Sequence, residues 1–314
     1  MEADAAAVAM VGIQLPQAAG LATNQGGTLV RLMRVGAPGE ERPAVLLDGV
    51  IRDVADHVTD FDAEFLANEG LDRLVKVLDS EGSTLVAVDD TRRVGPPIAR
   101  PHHLLCIGLN YADHAQESGM DLPAEPIVFT KAPNTLVGPH DDVLLPPGAE
   151  KVDWEIELGV VIGKRARYLP DKAAARSHIA GYVLCNDVSE RHYQLERGGQ
   201  WVKGKSAETF NPAGPWFVTA DELPDVTGLG LTLSVNGTVR QQGTTSDLVF
   251  GVDYLVWYLS QFMVLEPGDL INTGTPAGVG MGQEPPVYLQ EGDVMELAAN
   301  GLGAQRQAVR RATR

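Results

Sequence analysis

The segment Lys151-Val-Asp-Trp-Glu-Ile-Glu-Leu-Gly-Val-Val-Ile162 sets two carboxylates, Glu155 and Glu157, inside an otherwise apolar run. A strand alternates faces, so Trp154, Ile156, Leu158 and Val160 point to one side and the two glutamates to the other. Like charges on one face, beside residues that read as buried, repel each other and are costly to desolvate unless something positive lies between them. A hard divalent cation meets that need. The competing reading is a half-exposed edge strand with two solvated glutamates.

Other stretches carry chemistry of the same kind. Ile179-Ala-Gly-Tyr-Val-Leu-Cys-Asn-Asp-Val188 reads as a buried strand ending on Asp187, and a strand-end carboxylate beside the glutamate pair would complete a three-acid cation site. The buried strand Leu104–Leu109 runs into Asn110-Tyr-Ala-Asp-His-Ala-Gln-Glu117. There His114 and Glu117 are three apart and share a helix face, the arrangement that orients an imidazole as a general base. A solvated helix with the same spacing is the plainer alternative. The Gly/Pro-rich stretch 118–126 that follows suggests a mobile lid.

Lys131 ends the strand 126–131, where it presents its charge to an anion or to nothing. Arg191 and Gln194 fall on one side of a helical turn. Lys205 lies in a glycine-containing loop, where it would meet a carboxylate or an enolate oxygen, or else be an ordinary surface lysine. The glycine-rich run after Asp269 offers amides and the Thr275 hydroxyl to a carboxylate. It lacks the lysine of a phosphate-binding loop.

The rest of the 314-residue chain supplies the frame. Residues 1–24, Ala- and Gln-rich, read as a disordered extension and lack the basic start and apolar core of a secretory signal. Residues 25–98 form a small N-terminal α/β domain with strands at 29–35, 43–47 and 50–54 and a helix over 62–78 that Gly70 tends to split. The stiff stretch 94–101 is a linker, and 99–314 is the main domain. In its C-terminal part strands are expected at 231–235, 239–242 and 287–289, with an Asn236-Gly237 hairpin turn and a helix over 250–262. A net charge of −17 argues against nucleic acid or an anionic membrane as partner. No apolar run approaches the roughly 20 residues that span a bilayer. The two cysteines, Cys106 and Cys185, sit in apolar runs as buried thiols, which fits a reducing cytoplasm.

The series NYADHAQE, DWEIELGVVIGKRA, GYVLCNDVSER, GGQWVKGKSAETF, LEPGDLINTGTPAGVG and GLGAQRQAV, in that order over about residues 100–310, closely resembles the fumarylacetoacetate hydrolase superfamily. Within it the chain looks most like bacterial hydrolases of 2,4-diketo-3-deoxy sugar acids of the rhamnonate and fuconate type. The resemblance implies an α+β, mainly β fold, a mixed β-sandwich roll, in a homodimer or dimer of dimers. It implies Mg²⁺ or Mn²⁺ on Glu155, Glu157 and Asp187, a catalytic His114–Glu117 dyad with Lys205, and substrate contacts from Arg191, Gln194, Thr275 and Lys131. The reaction implied is hydrolysis of a 2-oxo acid substrate to pyruvate and a hydroxy acid. One departure stands out: Glu208 occupies a position where the family commonly has Asp, and the longer acid puts the placement of Lys205 in question. The same site would also serve an acylpyruvase, 2-oxo acid decarboxylation or keto–enol tautomerisation. A non-catalytic keto-acid binder is the reading from a different class.

Overall fold

The computed structural model describes residues 30–89 and 91–313. The expected extension at 1–24 lies outside them. The N-terminal strands are β1 (Arg31–Val35), β2 (Arg42–Leu47) and β3 (Val50–Asp53). Next come β4 (Leu104–Gly108), β5 (Ile127–Lys131), β6 (Leu136–Val137), β7 (Val143–Leu145), β8 (Val152–Asp153) and β9 (Ile156–Ile162). They are followed by β10 (Ile179–Asn186), β11 (Ser189–Glu190), β12 (Asn211–Pro212), β13 (Phe217–Thr219), β14 (Gly230–Val235) and β15 (Thr238–Thr244). The last are β16 (Leu270–Asn272), β17 (Val294–Ala299) and β18 (Gly303–Arg311).

Two mixed sheets carry the fold. One has nine strands in the order β3-β2-β1-β13-β10-β9-β16-β4-β5, the other five in the order β15-β14-β17-β18-β7. The alternation in β9 shows why they stack. Ile156, Leu158, Val160 and Ile162 enter a core shared with Leu231, Leu233, Met295 and Leu297 of the second sheet. The opposite face carries Val161 into a second core with Phe61, Phe65, Leu66 and Leu74. That core lies under the helices α1 (Ala63–Ala67) and α2 (Gly70–Glu81). Asp62 caps α1 by accepting from the Phe65 amide at 2.8 Å. The helix expected over 62–78 is split at Gly70 as that reading allowed, and there Gly70 approaches Phe65 so closely that a Cβ would lie 2.2 Å from the Phe65 carbonyl oxygen.

The strands of the expected N-terminal domain and those of the main domain meet in one sheet, because β1 pairs antiparallel with β13. The 94–101 stretch is packed, with Gly95, Pro96, Pro97 and Ile98 buried. Asn236 and Gly237 take the left-handed values φ 52° and 75° and make the expected tight hairpin between β14 and β15. The helix expected over 250–262 forms as Val252–Ser260. Residues 287–289 are a correction: they form no strand, although the Leu289 amide donates to the Val152 carbonyl. The Val287 amide turns instead to the Gly280 carbonyl at 2.9 Å, so residues 287–289 are shared between two partners and build no ladder with β8.

Strand direction locates the site. β9 runs antiparallel to both β10 and β16, and β16 runs parallel to β4. The start of β9 therefore lies beside the ends of β10, β16 and β4, and the loops leaving those three strands gather over the Glu155–Glu157 segment.

Candidate active site

Glu155, Glu157 and Asp187 are buried and offer one carboxylate oxygen each within 4.8 Å of one another. Backbone pairing fixes them. The Asp187 amide donates to the Glu155 carbonyl at 2.8 Å, the Glu155 amide donates to Asn186 Oδ1 at 3.1 Å, and Glu157 Oε2 accepts from the Gly274 amide at 2.7 Å. Lys205, on the one-turn helix Val202–Lys205, donates from Nζ to Glu155 Oε2 at 2.7 Å and to Asp187 Oδ2 at 2.9 Å. Glu208 is exposed and leaves that placement undisturbed.

The cage is electrostatically uneven. Burial pushes the Glu155 carboxyl up, but Lys205 and Arg191 outweigh it and hold the group at about 2. Burial pushes Glu157 the same way, and the Asp187 and Glu155 charges push it further, well above the usual carboxylate range. Three hard oxygen donors, one of them poorly compensated by the lysines, fit a divalent cation of the Mg²⁺ or Mn²⁺ type.

His114 and Glu117 lie on α3 (here the helix Ala112–Glu117), with His114 Nδ1 3.0 Å from Glu117 Oε1. Glu117 is pinned from behind. Its oxygens accept from the Gly278 amide at 3.0 and 2.9 Å, which docks this helix onto the glycine-rich loop. Two glycines permit the contact. A Cβ on Gly278, at φ 107°, would lie 2.0 Å from the Arg240 carbonyl oxygen, and one on Gly282 would lie 2.6 Å from the Glu117 carboxyl carbon.

Five of the expected residues line one cavity together with Glu155 and Glu157: His114, Arg191, Gln194, Lys205 and Thr275. Two of the expected substrate contacts, Thr275 and Lys131, are committed to protein partners instead. Thr275 does not hold its hydroxyl free for a carboxylate, because Oγ1 donates to the Ile156 carbonyl at 2.8 Å and accepts from Gln241 Nε2 at 2.7 Å. Lys131 stands behind Asp187 and away from the cavity lining, its ammonium spent on Asp187 Oδ1, the Val188 carbonyl at 3.1 Å and the Phe210 carbonyl at 2.5 Å. Arg191 lines the cavity and is also held by neighbouring side chains. Its Nε donates to Asp153 Oδ2 at 2.8 Å, its Nη1 to Gln194 Oε1 at 3.0 Å, and its Nη2 lies 2.7 Å from Glu155 Oε1.

Asp153 is a site residue that the sequence reading passes over. Fully buried, it accepts from the Trp154 amide at 2.8 Å and the Gly280 amide at 2.6 Å through Oδ1, and from the Met281 amide at 3.0 Å through Oδ2. It thus ties Arg191 and the glycine-rich loop to the same point. The signal was present, since Asp153 continues the period-two series of Glu155 and Glu157. Gln241 is the other, donating to Thr275 and to the Pro276 carbonyl and accepting from the Ile156 amide. A glutamine in a hairpin strand carries no sequence signal for that position.

A mixed β-sandwich with an acid cage and a histidine–carboxylate dyad over one cavity defines a metal-site enzyme of the hydrolase and isomerase kind. The fumarylacetoacetate (FAA) hydrolase C-terminal family matches residues 103–310, and the chain belongs to that family. A relative from Burkholderia multivorans is 50% identical over 285 residues, spanning 90% of this chain and 100% of its own; its name gives a hydrolase class provisionally and no substrate. Among solved structures, fumarylacetoacetate hydrolase from Exiguobacterium antarcticum superposes with a TM-score of 0.80 at 34% identity, over 90% of this chain and 100% of that one. A Mycobacterium abscessus structure, described as a probable 2-hydroxyhepta-2,4-diene-1,7-dioate isomerase, gives 0.74 at 34% over the same shares. Maleylpyruvate hydrolase from Sphingobium sp. SYK-6, in complex with manganese(II) and pyruvate, gives 0.75 at 27%, again over 90% and 100%.

Proposed function

We propose that the chain is a divalent-metal-dependent hydrolase that cleaves the C3–C4 bond of a 2,4-diketo acid, releasing pyruvate and a second carboxylic acid. The observation that carries this reading is the meeting of the Glu155, Glu157 and Asp187 cage with the His114–Glu117 dyad on one cavity. A bound Mg²⁺ or Mn²⁺ would supply Lewis acidity at the 2-oxo carboxylate end of the substrate. Glu117, fixed by the Gly278 amide, orients His114 through Nδ1, which leaves Nε2 to take a proton from water. The water oxygen bonds to C4, the C3–C4 bond breaks with its electron pair moving to the pyruvate enolate, and a proton returned to C3 completes the products. Lys205 keeps a positive charge beside the enolate oxygen as it forms.

Within that class the substrate we propose is a six-carbon 2,4-diketo-3-deoxy sugar acid of the rhamnonate or fuconate type. Its tail beyond C4 is one hydroxyl-bearing carbon and a methyl group, so lactate is the second product. Gln194 supplies the uncharged amide on the wall for the hydroxyl. Decarboxylation and tautomerisation need no water at C4, so incorporation of solvent oxygen separates hydrolysis from both. The test is turnover in ¹⁸O-labelled water with and without EDTA. Label in the hydroxy acid carboxylate, lost with EDTA, is the expected result; carbon dioxide from oxaloacetate with no diketo acid cleaved would replace the reading by decarboxylation. We further propose a homodimer, for which light scattering should return twice the 33.6 kDa chain mass.

A further inference from the structure

The cavity lining is of two chemical kinds. Its only arginine and lysine among the described residues, Arg191 and Lys205, are both already paired: Arg191 with Asp153 and Glu155, Lys205 with Glu155 and Asp187. Much of the remaining wall is apolar, made by Leu109, Met120, Phe129, Leu195, Trp201 and Met281. Phe129 and Trp201 are locked edge to face at 5.2 Å, and a Cβ on Gly108 would lie 2.6 Å from the Trp201 ring, so the indole is held in place.

We propose that this wall makes the site selective for 2-oxo acids whose single carboxylate is the one at C1, and that it rejects substrates ending in a second carboxylate. The inference rests on the diketo-acid reading and narrows it. A carboxylate at the far end of the substrate would lose its water against apolar side chains, and no uncommitted cation on the lining would replace that hydration. A methyl or hydroxyethyl end meets no such cost. Leu195 and Met281, both partly exposed, are the positions where a cation could be supplied without disturbing the core.

The test is calorimetry on the Mn²⁺-loaded full chain with 2-oxopentanoate and 2-oxoglutarate, which share a five-carbon chain and differ in a terminal methyl against a terminal carboxylate. 2-Oxopentanoate should bind at least about 100-fold more tightly, the lower end of what an unpaired buried charge costs. Leu195→Arg and Met281→Lys should each narrow that ratio by about tenfold or more. Equal or tighter binding of 2-oxoglutarate by the wild-type chain would overturn the proposal, as would a ratio unmoved in both variants. Binding of neither compound would instead remove the diketo-acid reading beneath it, and this inference with it.

Discussion

Replacing Asp153 by Asn tests whether one buried carboxylate organises the site. Both of its oxygens act only as acceptors: Oδ1 from the Trp154 and Gly280 amides, Oδ2 from the Met281 amide and Arg191 Nε. Whichever way the asparagine amide turns, its NH₂ group faces two donors. Two charge-assisted contacts are lost, and Arg191 keeps only Glu155 as a carboxylate partner. Hydrogen bonds to charged groups contribute about 1.5–3 kcal/mol each, and breaking a buried ion pair costs about 3–5 kcal/mol. The contacts overlap, so the expected loss is about 3–5 kcal/mol in all. Urea unfolding of the metal-free chain would show it as a lower midpoint at an unchanged m-value. Turnover should fall as well, because the Gly280–Met281 amides lie in the loop that holds Glu117. A loss under about 1 kcal/mol would mean that Asp153 is a spectator, since even one such contact exceeds that value.

Glu157→Gln keeps the shape and an acceptor for the Gly274 amide but removes a charge, so Mn²⁺ affinity should drop by more than the 10–100-fold typical of outer-shell partners; unchanged affinity in a metal titration would refute the cage. The Glu157 carboxyl, raised by burial, Asp187 and Glu155, keeps its proton in the metal-free fold where the unfolded chain has lost it near pH 4.5. This group therefore makes the metal-free fold less stable as pH rises from that value through its folded pKa. Metal binding must expel that proton, so calorimetry in two buffers of different ionisation enthalpy, run above pH 4.5, should show proton release linked to binding that is lost in Glu157→Gln. His114→Ala should lower turnover by about 10²–10⁴-fold with metal affinity intact; full turnover at neutral pH would make the dyad structural. Lys131→Met should weaken metal binding by releasing Asp187 while leaving the distal-end preference unchanged, read from the same 2-oxo acid pair; a changed preference would place Lys131 in the cavity after all.

The parts of this site legible in the sequence are those set by local rules. Strand alternation puts Glu155 and Glu157 on one face wherever the strand lies, and helical spacing brings His114 to Glu117 before any tertiary contact forms. The strand-end position of Asp187 is readable from the apolar run that ends on it, but what sets it over the glutamates is the pairing of β10 with β9 in the register Cys185↔Glu157, which the sequence does not show. Roles that depend on a partner far along the chain were not. Lys131 does meet an anion, one of the two fates its strand leaves open, but the anion is Asp187, 56 residues away, and no pattern in 126–131 distinguishes it from a substrate. Thr275 and Gln241 satisfy each other across a separation of 34 residues, so a hydroxyl that looks available in a glycine-rich loop is already committed.

Gln241 shows the physical reason most clearly. It sits opposite Leu233 just before the pairing of β14 with β15 shifts register between Leu233 and Ser234. In a regular hairpin its neighbours would fix its face by alternation, but the shift breaks the period, and an extra residue in one strand re-aims the side chains around it. The residue is fully buried, with its carboxamide joining the Ile156 amide, Thr275 and the Pro276 carbonyl. One irregularity in the second sheet thus clamps the glycine-rich loop to the strand that bears the metal-site glutamates. Period-two reasoning finds the glutamates because their strand is regular at that point; the residue that steadies them escapes it because its own strand is not.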